Sequence, residues 1–365
     1  MDKTGFKILV IVILISLFGI LSIYSSTYQK EGKLWQEIYK RQVFWAVLGL
    51  AFFLLMANFN YRKIWEWTYI LYGLSVGLLF LVFILGIVRL GAQRWLKFAW
   101  FNFQPTELVK LIIVIFLARY FSRKSPDNIS ANVSNLGIVR GFILPFIFVA
   151  VPAGLIVEQP DLGSGAMVLL IFISMIYLSN VKLRYLSLFF LLVAVLFPVF
   201  WHFLRDYQKD RLLVFLNPNV DPLGAGYTVM QSKIAIGSGG LFGRGWLSGT
   251  QSQLHFLPES HTDFIFATFT EGWGFAGGAV LIFLYYLLIR AGLAIGERTH
   301  DSFGKMLAFG ISCALSLQVI INIAMNLGLA PIVGLPLPLM SYGGSSLIIT
   351  FAALGILANI SKSRT

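Results

Sequence analysis

The segment from His255 to Phe266, HFLPESHTDFIF, sets two histidines and two acids, Glu259 and Asp263, where a polar, proline-bent stretch becomes a long apolar run. A carboxylate there can act as a general base toward a hydroxyl. It must reach the proton at hydrogen-bond distance, in a site where burial lifts its pKa toward neutrality. Asp263 is the candidate for that task, and His261 is a second group able to titrate near neutral pH. The same residues allow a plainer reading: Thr262 can cap a helix whose first turn holds Asp263, where the helix dipole favours an anion. None of the four histidines has an H-x-x-x-H metal-ligand spacing, and no elbow motif marks a nucleophilic serine.

Other ionisable residues lie inside or beside apolar runs. Each costs at least about 2.5 kcal/mol there and so needs a partner or a task. QPTELVK puts Glu107 and Lys110 three residues apart on one helical face, as an internal ion pair or as the lining of a polar cavity. Arg94, in GAQRWL, and Lys97 suit anionic lipid headgroups or snorkelling anchors. In VEQPDLGSG, Glu158 and Asp161 flank Pro160, and Asp161 can cap the helix that follows. DYQKDRLLVFLNP carries Gln208, Lys209 and Arg211. Glu271, eight residues past Asp263 and roughly 80° round a helix, is expected to face protein rather than lipid.

Lys233 lies in VMQSKIAI, which reads as a short interfacial helix with Met230, Ile234 and Ala235 on one side and Gln231 and Lys233 on another. Glycines from Gly237 to Gly249 follow it. They match no dinucleotide fingerprint, and read as a compact loop over the rest of the protein or as a phosphate cradle. NLGLAPIVGLPLPLMSYGGSS, with three prolines and no charge, reads as a rigid lid, a binding surface or a connection set by proline geometry.

The frame that must hold these residues is a membrane. The chain of 365 residues is 58% hydrophobic and 12% charged, with mean hydropathy +0.80. Soluble domains carry about 25% charged residues. Apolar runs recur along the whole length, each able to span a hydrocarbon core of about 30 Å. The fold class is all-α and polytopic, one integral-membrane unit over 1–365. Helices are predicted at 6–26, 42–58, 67–88, 105–121, 139–158, 162–180, 183–204, 266–293, 303–327 and 343–361, with a large loop at 205–265. The first run reads as a retained helix rather than a cleaved signal. No strong internal repeat supports a transporter architecture of inverted halves.

Ten spans put both termini on one side. Fifteen Lys and Arg residues fall on that side and seven in the short loops opposite. The positive-inside rule then makes the termini cytoplasmic and turns the 205–265 loop outward. That distribution accounts for most of the +12 net charge and argues against a nucleic-acid partner. Asn128 and Asn132 open sequons in a cytoplasmic loop and are set aside. Cys313, the single cysteine, excludes an internal disulfide.

The motifs GAQRWL, FQPTELVK, QPDLGSG, DYQKDRLLVFLNP, the 221–266 segment and PLPLMSYGGSS together resemble the SEDS family (shape, elongation, division and sporulation), over nearly the whole chain. GTQSQL before HFLPE, the length and the lack of a long cytoplasmic extension resemble the rod-shape elongation branch rather than the division branch. Thr106 and Trp273 depart from the family pattern, outside the residues invoked for chemistry.

The resemblance implies a peptidoglycan glycosyltransferase of the bacterial cytoplasmic membrane, its active site facing outward. It would polymerise lipid II onto an undecaprenyl-pyrophosphate-linked glycan through β-1,4 bonds, with inversion at the donor anomeric carbon. Asp263 falls on the family's essential acid and Glu107 and Lys110 on its ion pair. Arg94, Asp161, Gln208, Arg211 and Lys233 fall on other motif positions, and His261 is grouped with them as substrate-binding. No organic cofactor is implied; a divalent cation, magnesium or manganese, is compatible. The implied partners are a class B penicillin-binding protein and other elongation-complex proteins. The competing class is a flippase for lipid-linked precursors.

Overall fold

The computed structural model describes residues 2–28, 33–89, 92–98, 101–122, 137–179, 181–254 and 256–362. Lys30, Arg123, Lys124 and Arg364 of the charge count, and the sequons at Asn128 and Asn132, lie outside them. Each expected span is a helix: α1 (Lys3–Thr27), α2 (Lys33–Asn58), α3 (Arg62–Leu85), α4 (Pro105–Phe121), α5 (Leu144–Glu158), α6 (Leu162–Leu178) and α7 (Leu183–Phe203). After them the loop carries α8 (Asp206–Leu216), α9 (Ala225–Ser238) and α10 (Thr250–Gln253), and then α11 (Ile265–Arg298), α12 (Ser302–Asn326) and α13 (Gly344–Lys362) complete the bundle.

Among the described residues, seven helices are long and apolar enough to cross a membrane, and two shorter apolar ones correspond to α6 and α7. The charged helix α4 is the exception. It packs against α3, α5, α6, α12 and α13, and nearly all its residues are buried. A helix enclosed by other helices has no lipid face to satisfy, so it can carry Glu107 and Lys110 where a peripheral helix could not. Helix α7 is the opposite case, with Leu188, Leu191, Val195 and Phe197 exposed on the rim. At the start of α1, Asp2 caps the Gly5 N–H (2.8 Å) and accepts the Ser361 hydroxyl (2.6 Å). The two ends of the chain therefore meet on one face, as an even number of crossings requires.

Two features depart from the expectation. The third helix stops at Leu85 because the chain turns into an antiparallel sheet: β1 (Gly86–Arg89), β2 (Ala92–Phe98) and β3 (Phe101–Phe103). Short β-branched and aromatic runs such as GIVR and FNF are ambiguous by period alone. The Gln93 amide tips the balance by donating to the carbonyls of Val82 (3.0 Å) and Gly86 (2.9 Å), satisfying the helix end.

The second departure is in α9. Its inward face is Gly226, Val229, Ser232 and Ala235, while Met230 and Ile234 are exposed. Packing on α11 and α12 selects the small residues, and Ser232 donates its hydroxyl to the Asn326 carbonyl (2.7 Å). A small second core of Ala235, Leu257, Phe264 and Ala267 joins α9 to the start of α11.

Helix α11 has 34 residues, about 51 Å at 1.5 Å per residue, and breaks at Gly274 (φ 68°, ψ −167°). The glycine run fills the break. Arg244 and Gly245 donate backbone N–H groups to the carbonyls of Glu271 (3.0 Å) and Gly272 (3.1 Å). Phe275 and Ala276 donate to Gly240 (2.8 Å) and Leu241 (3.0 Å). The glycines thus form a compact loop stitched into a broken helix. The N–H groups of Gly239, Gly240, Gly243, Arg244 and Gly245 all donate to backbone carbonyls, which argues against the phosphate-cradle reading.

Candidate active site

Asp263 lies in a turn, one residue before the Phe264 N-cap of α11. Thr262 does not cap the helix: its hydroxyl donates to the Glu259 carboxylate (2.9 Å), and the N-cap has no side-chain bond. The capping explanation of Asp263 therefore fails, and its carboxylate is left for another task. Its backbone carbonyl is held by the side-chain amides of Asn322 and Asn326, each at 3.0 Å. The flanking residues are latched to the proline-rich segment after α12. Ser341 donates its hydroxyl to the Thr262 carbonyl (2.6 Å), and the Tyr342 N–H donates to the His261 carbonyl (2.9 Å). Gln42 of α2 holds that segment from the other side, donating to Ser341 O (3.1 Å). The uncharged 326–346 stretch is thereby a rigid seat for the acid.

The carboxylate is partly buried, and its pKa rises to about 6. Loss of water is the main cause, and the Glu259 charge adds to it. Arg211 pulls the other way, Asp161 raises it further and Arg94 lowers it. Gly334 turns back beside it with φ +69°, and a Cβ there would stand 3.6 Å from Asp263 Oδ2. The site is thus a half-dry carboxylate in the field of two acids, Glu259 and Asp161, and two guanidinium groups, Arg211 and Arg94.

The two cations reach the site from different elements. Arg94, on β2, donates Nε to the Gln159 carbonyl (3.2 Å) and a further N–H to Pro160 O, with Asp161 Oδ1 3.9 Å away. Asp161 is also the N-cap of α6, accepting the Ser164 N–H at 3.1 Å, so the capping reading of this residue is realised beside the ion pair. Arg211, on α8, donates to the Ile332 carbonyl (3.2 Å) and lies over the Tyr207 ring. Tyr207 in turn donates to Pro160 O (3.0 Å). Gln208 is buried, bonding the Tyr207 hydroxyl (2.9 Å) and accepting the Arg205 N–H (3.0 Å). It shapes the end of α8 rather than facing Asp263.

Four sequence-nominated residues fall outside this cluster. His261 is buried with its ring against Tyr342 (5.8 Å between centroids). Lys233 is exposed on α9 and lies over Gly328. Glu107 and Lys110 form a buried pair at 2.9 Å inside the bundle, and Lys110 also donates to Gln318 Oε1 (3.0 Å). The adjoining cavity of about 60 Å³ is lined mainly by apolar side chains, among them Val114, Met167, Ile311 and Leu354.

Gln318, Asn322 and Asn326 were not nominated from the sequence. The signal was present in SLQVIINIAMN: three amides at i, i+4 and i+8 on an apolar helix, each needing a buried partner. Glu271 is fully buried, as expected, and accepts from Gln251 N (2.7 Å), Ser252 N (3.2 Å) and Ser252 Oγ (3.0 Å). It caps α10 and pins the stretch leading to Asp263.

A family model described as cell cycle protein, for the FtsW, RodA and SpoVE group, matches residues 6–365. The peptidoglycan glycosyltransferase MrdB of Escherichia coli is 40% identical over 366 residues, covering 100% of this chain and 95% of that protein. Among solved structures, a chain of a peptidoglycan synthase complex that coordinates polymerization and crosslinking superposes with TM-score 0.80, at 32% identity and with 98% of each chain covered. The rod shape determining protein RodA of Thermus thermophilus superposes with TM-score 0.70, at 27% identity, over 98% of this chain and 96% of that one.

Proposed function

The chain belongs to the FtsW, RodA and SpoVE family of cell cycle proteins, the SEDS family, and from that premise we propose that it polymerises lipid II with Asp263 as the general base. It is a multi-pass membrane protein and a peptidoglycan glycosyltransferase. In the proposed reaction the acceptor is lipid II, whose sugar 4-hydroxyl attacks the anomeric carbon of a glycan carried on undecaprenyl pyrophosphate. The new C–O bond forms as the bond from that carbon to the pyrophosphate oxygen breaks, with inversion and a β-1,4 product. The hydroxyl proton passes to Asp263. The departing pyrophosphate takes the bonding pair, and Arg211 and Arg94 offset its charge. One base suffices because the leaving group needs little acid help, unlike the paired carboxylates of glycoside hydrolysis.

The observation that supports this most is the Asp263 carboxyl itself, held out of the helix, half-dry and within the field of Arg211 and Arg94. Among the described residues no group of three His, Cys, Asp or Glu side chains could hold a metal ion, and the proposed proton transfer uses the Asp263 side chain alone. The outward orientation of the site rests on the excess of basic residues on the face carrying the termini. The partner we propose is a class B penicillin-binding protein supplying crosslinking, by analogy with the synthase complex that coordinates polymerization and crosslinking and has a chain of this fold.

The buried Glu107–Lys110 pair and its cavity favour a second reading, a flippase for lipid-linked precursors. Purified protein in detergent separates the two, since no second leaflet exists there. Polymer from lipid II supports the enzyme. No polymer, even with the transpeptidase partner present, removes it.

A further inference from the structure

The face of α12 that carries Gln318, Asn322 and Asn326 is spaced by four residues, and all three are buried, the two asparagines fully. Such amides inside a membrane helix are tolerated when every polar atom is used. Here they are used on one object. Gln318 accepts from Lys110 (3.0 Å) and donates to Pro336 O (2.8 Å). Asn322 donates to Leu335 O (2.7 Å) and to Asp263 O (3.0 Å). Asn326 donates to Asp263 O (3.0 Å) and accepts the Ala267 N–H (3.1 Å), and its own Nδ2 is steadied by Asn322 Oδ1 (3.2 Å).

The last arrangement has a geometric consequence. Asp263 O and Ala267 N are four residues apart, the pair that would bond to each other in the first turn of a helix. The Asn326 amide stands between them, offering a donor to one and an acceptor to the other. The first ordinary bond of α11 is the next one along, Thr268 N to Phe264 O (3.2 Å). Asp263 is therefore prised out of the helix by a side chain 63 residues away.

We propose that Asn326, with Asn322 beneath it, is a positioning residue for catalysis: its amide wedge keeps Asp263 out of the first turn of α11 and aims its carboxylate at the acceptor hydroxyl. Gln318 extends the same row to the Glu107–Lys110 pair, which gives that pair a mechanical link to the seat of the acid without contact with substrate. The inference rests on Asp263 being the base.

In Asn326→Ala the Ala267 N–H is free to close on Asp263 O, and the acid is drawn into the helix. A displacement of about 1 Å at a reacting group costs on the order of 10²-fold in rate. Polymerisation of lipid II by purified protein should show kcat down by about that factor with KM unchanged. The acidic limb of the pH–rate profile should also move, because the carboxyl leaves the field of Glu259, Arg211, Asp161 and Arg94. Asn322→Ser, which keeps the wedge but removes one of two donors to Asp263 O, should lose less and decides the matter if Asn326→Ala does not fold.

Wild-type kcat in a folded variant, or a fall in kcat with the pH limb unmoved, overturns the positioning role. Asp263→Asn, assayed in parallel, keeps the two ideas apart. If it stays active the base assignment fails. If it is dead while Asn326→Ala and Asn322→Ser run at full rate, only the wedge fails.

Discussion

Glu271, on the first segment of the broken helix α11, receives both the backbone N–H (3.2 Å) and the hydroxyl (3.0 Å) of Ser252 at the start of the four-residue helix α10. A carboxylate from one element thus terminates another, and the stretch between them ends on Asp263. Glu271→Ala leaves the N–H groups of Gln251 and Ser252 without partners, at about 1–3 kcal/mol each if they stay dry. Glu271→Gln presents an amide N–H where four donors converge, the Thr250 hydroxyl (3.4 Å) among them, and should not restore stability. Both variants should melt lower than wild type, read by thermal scanning in detergent, and both should polymerise more slowly because the loop carrying the acid is loosened. A Glu271→Gln variant with wild-type melting would remove the capping role.

Asp263→Asn should cut polymerisation by roughly 10²–10⁴-fold, the range for loss of a general base, with the fold intact. A base works only when deprotonated. The carboxyl holds its proton up to about pH 6, so activity should rise through about pH 6 and be lost below it. An acidic limb near pH 4, the ordinary carboxylate range, would mean that burial does not tune this group.

Glu107 and Lys110 form a buried pair, and removal of one partner leaves an uncompensated charge. Lys110→Met or Glu107→Leu alone should destabilise by about 3–5 kcal/mol, and the double variant by much less than their sum. A double-mutant cycle on thermal stability measures the difference. Simple additivity would show that the 2.9 Å contact carries no coupling.

The splice through the helix break depends on glycine at two places. Gly243 has φ +85°, and a Cβ there would stand 2.1 Å from Gly272 O. At Gly274, φ is +68° and the Cβ would stand 2.2 Å from Gly243 N. Each obstacle is backbone and cannot rotate away. Alanine at either site should cost at least about 1–3 kcal/mol from strain alone and lower the melting temperature. Gly237, with open space at its Cβ position, should accept alanine freely and serves as the control.

Much of the molecule was legible in one dimension. Hydropathy and turn residues act over a few neighbours, so the helices of the bundle, the polar junction at Asp263 and the inward-facing Glu271 followed from local pattern. The same locality explains the errors. A short run such as GIVR carries no period long enough to separate strand from helix. The inner face of α9 was set by small residues fitting a neighbour, so Ala235 turns inward while Met230 and Ile234, grouped with it from the sequence, stay exposed.

What pattern could not reach was convergence. Arg94 meets Pro160 across 66 residues of chain, and Asn326 meets Asp263 across 63. Hydropathy marks each of these side chains as expensive in a membrane without naming the partner that relieves it. The packing of α4, α6, α11 and α12 chose those partners. It separated the acid on its asparagine seat from the ion pair in the bundle interior, because a buried polar group settles wherever its hydrogen bonds are completed.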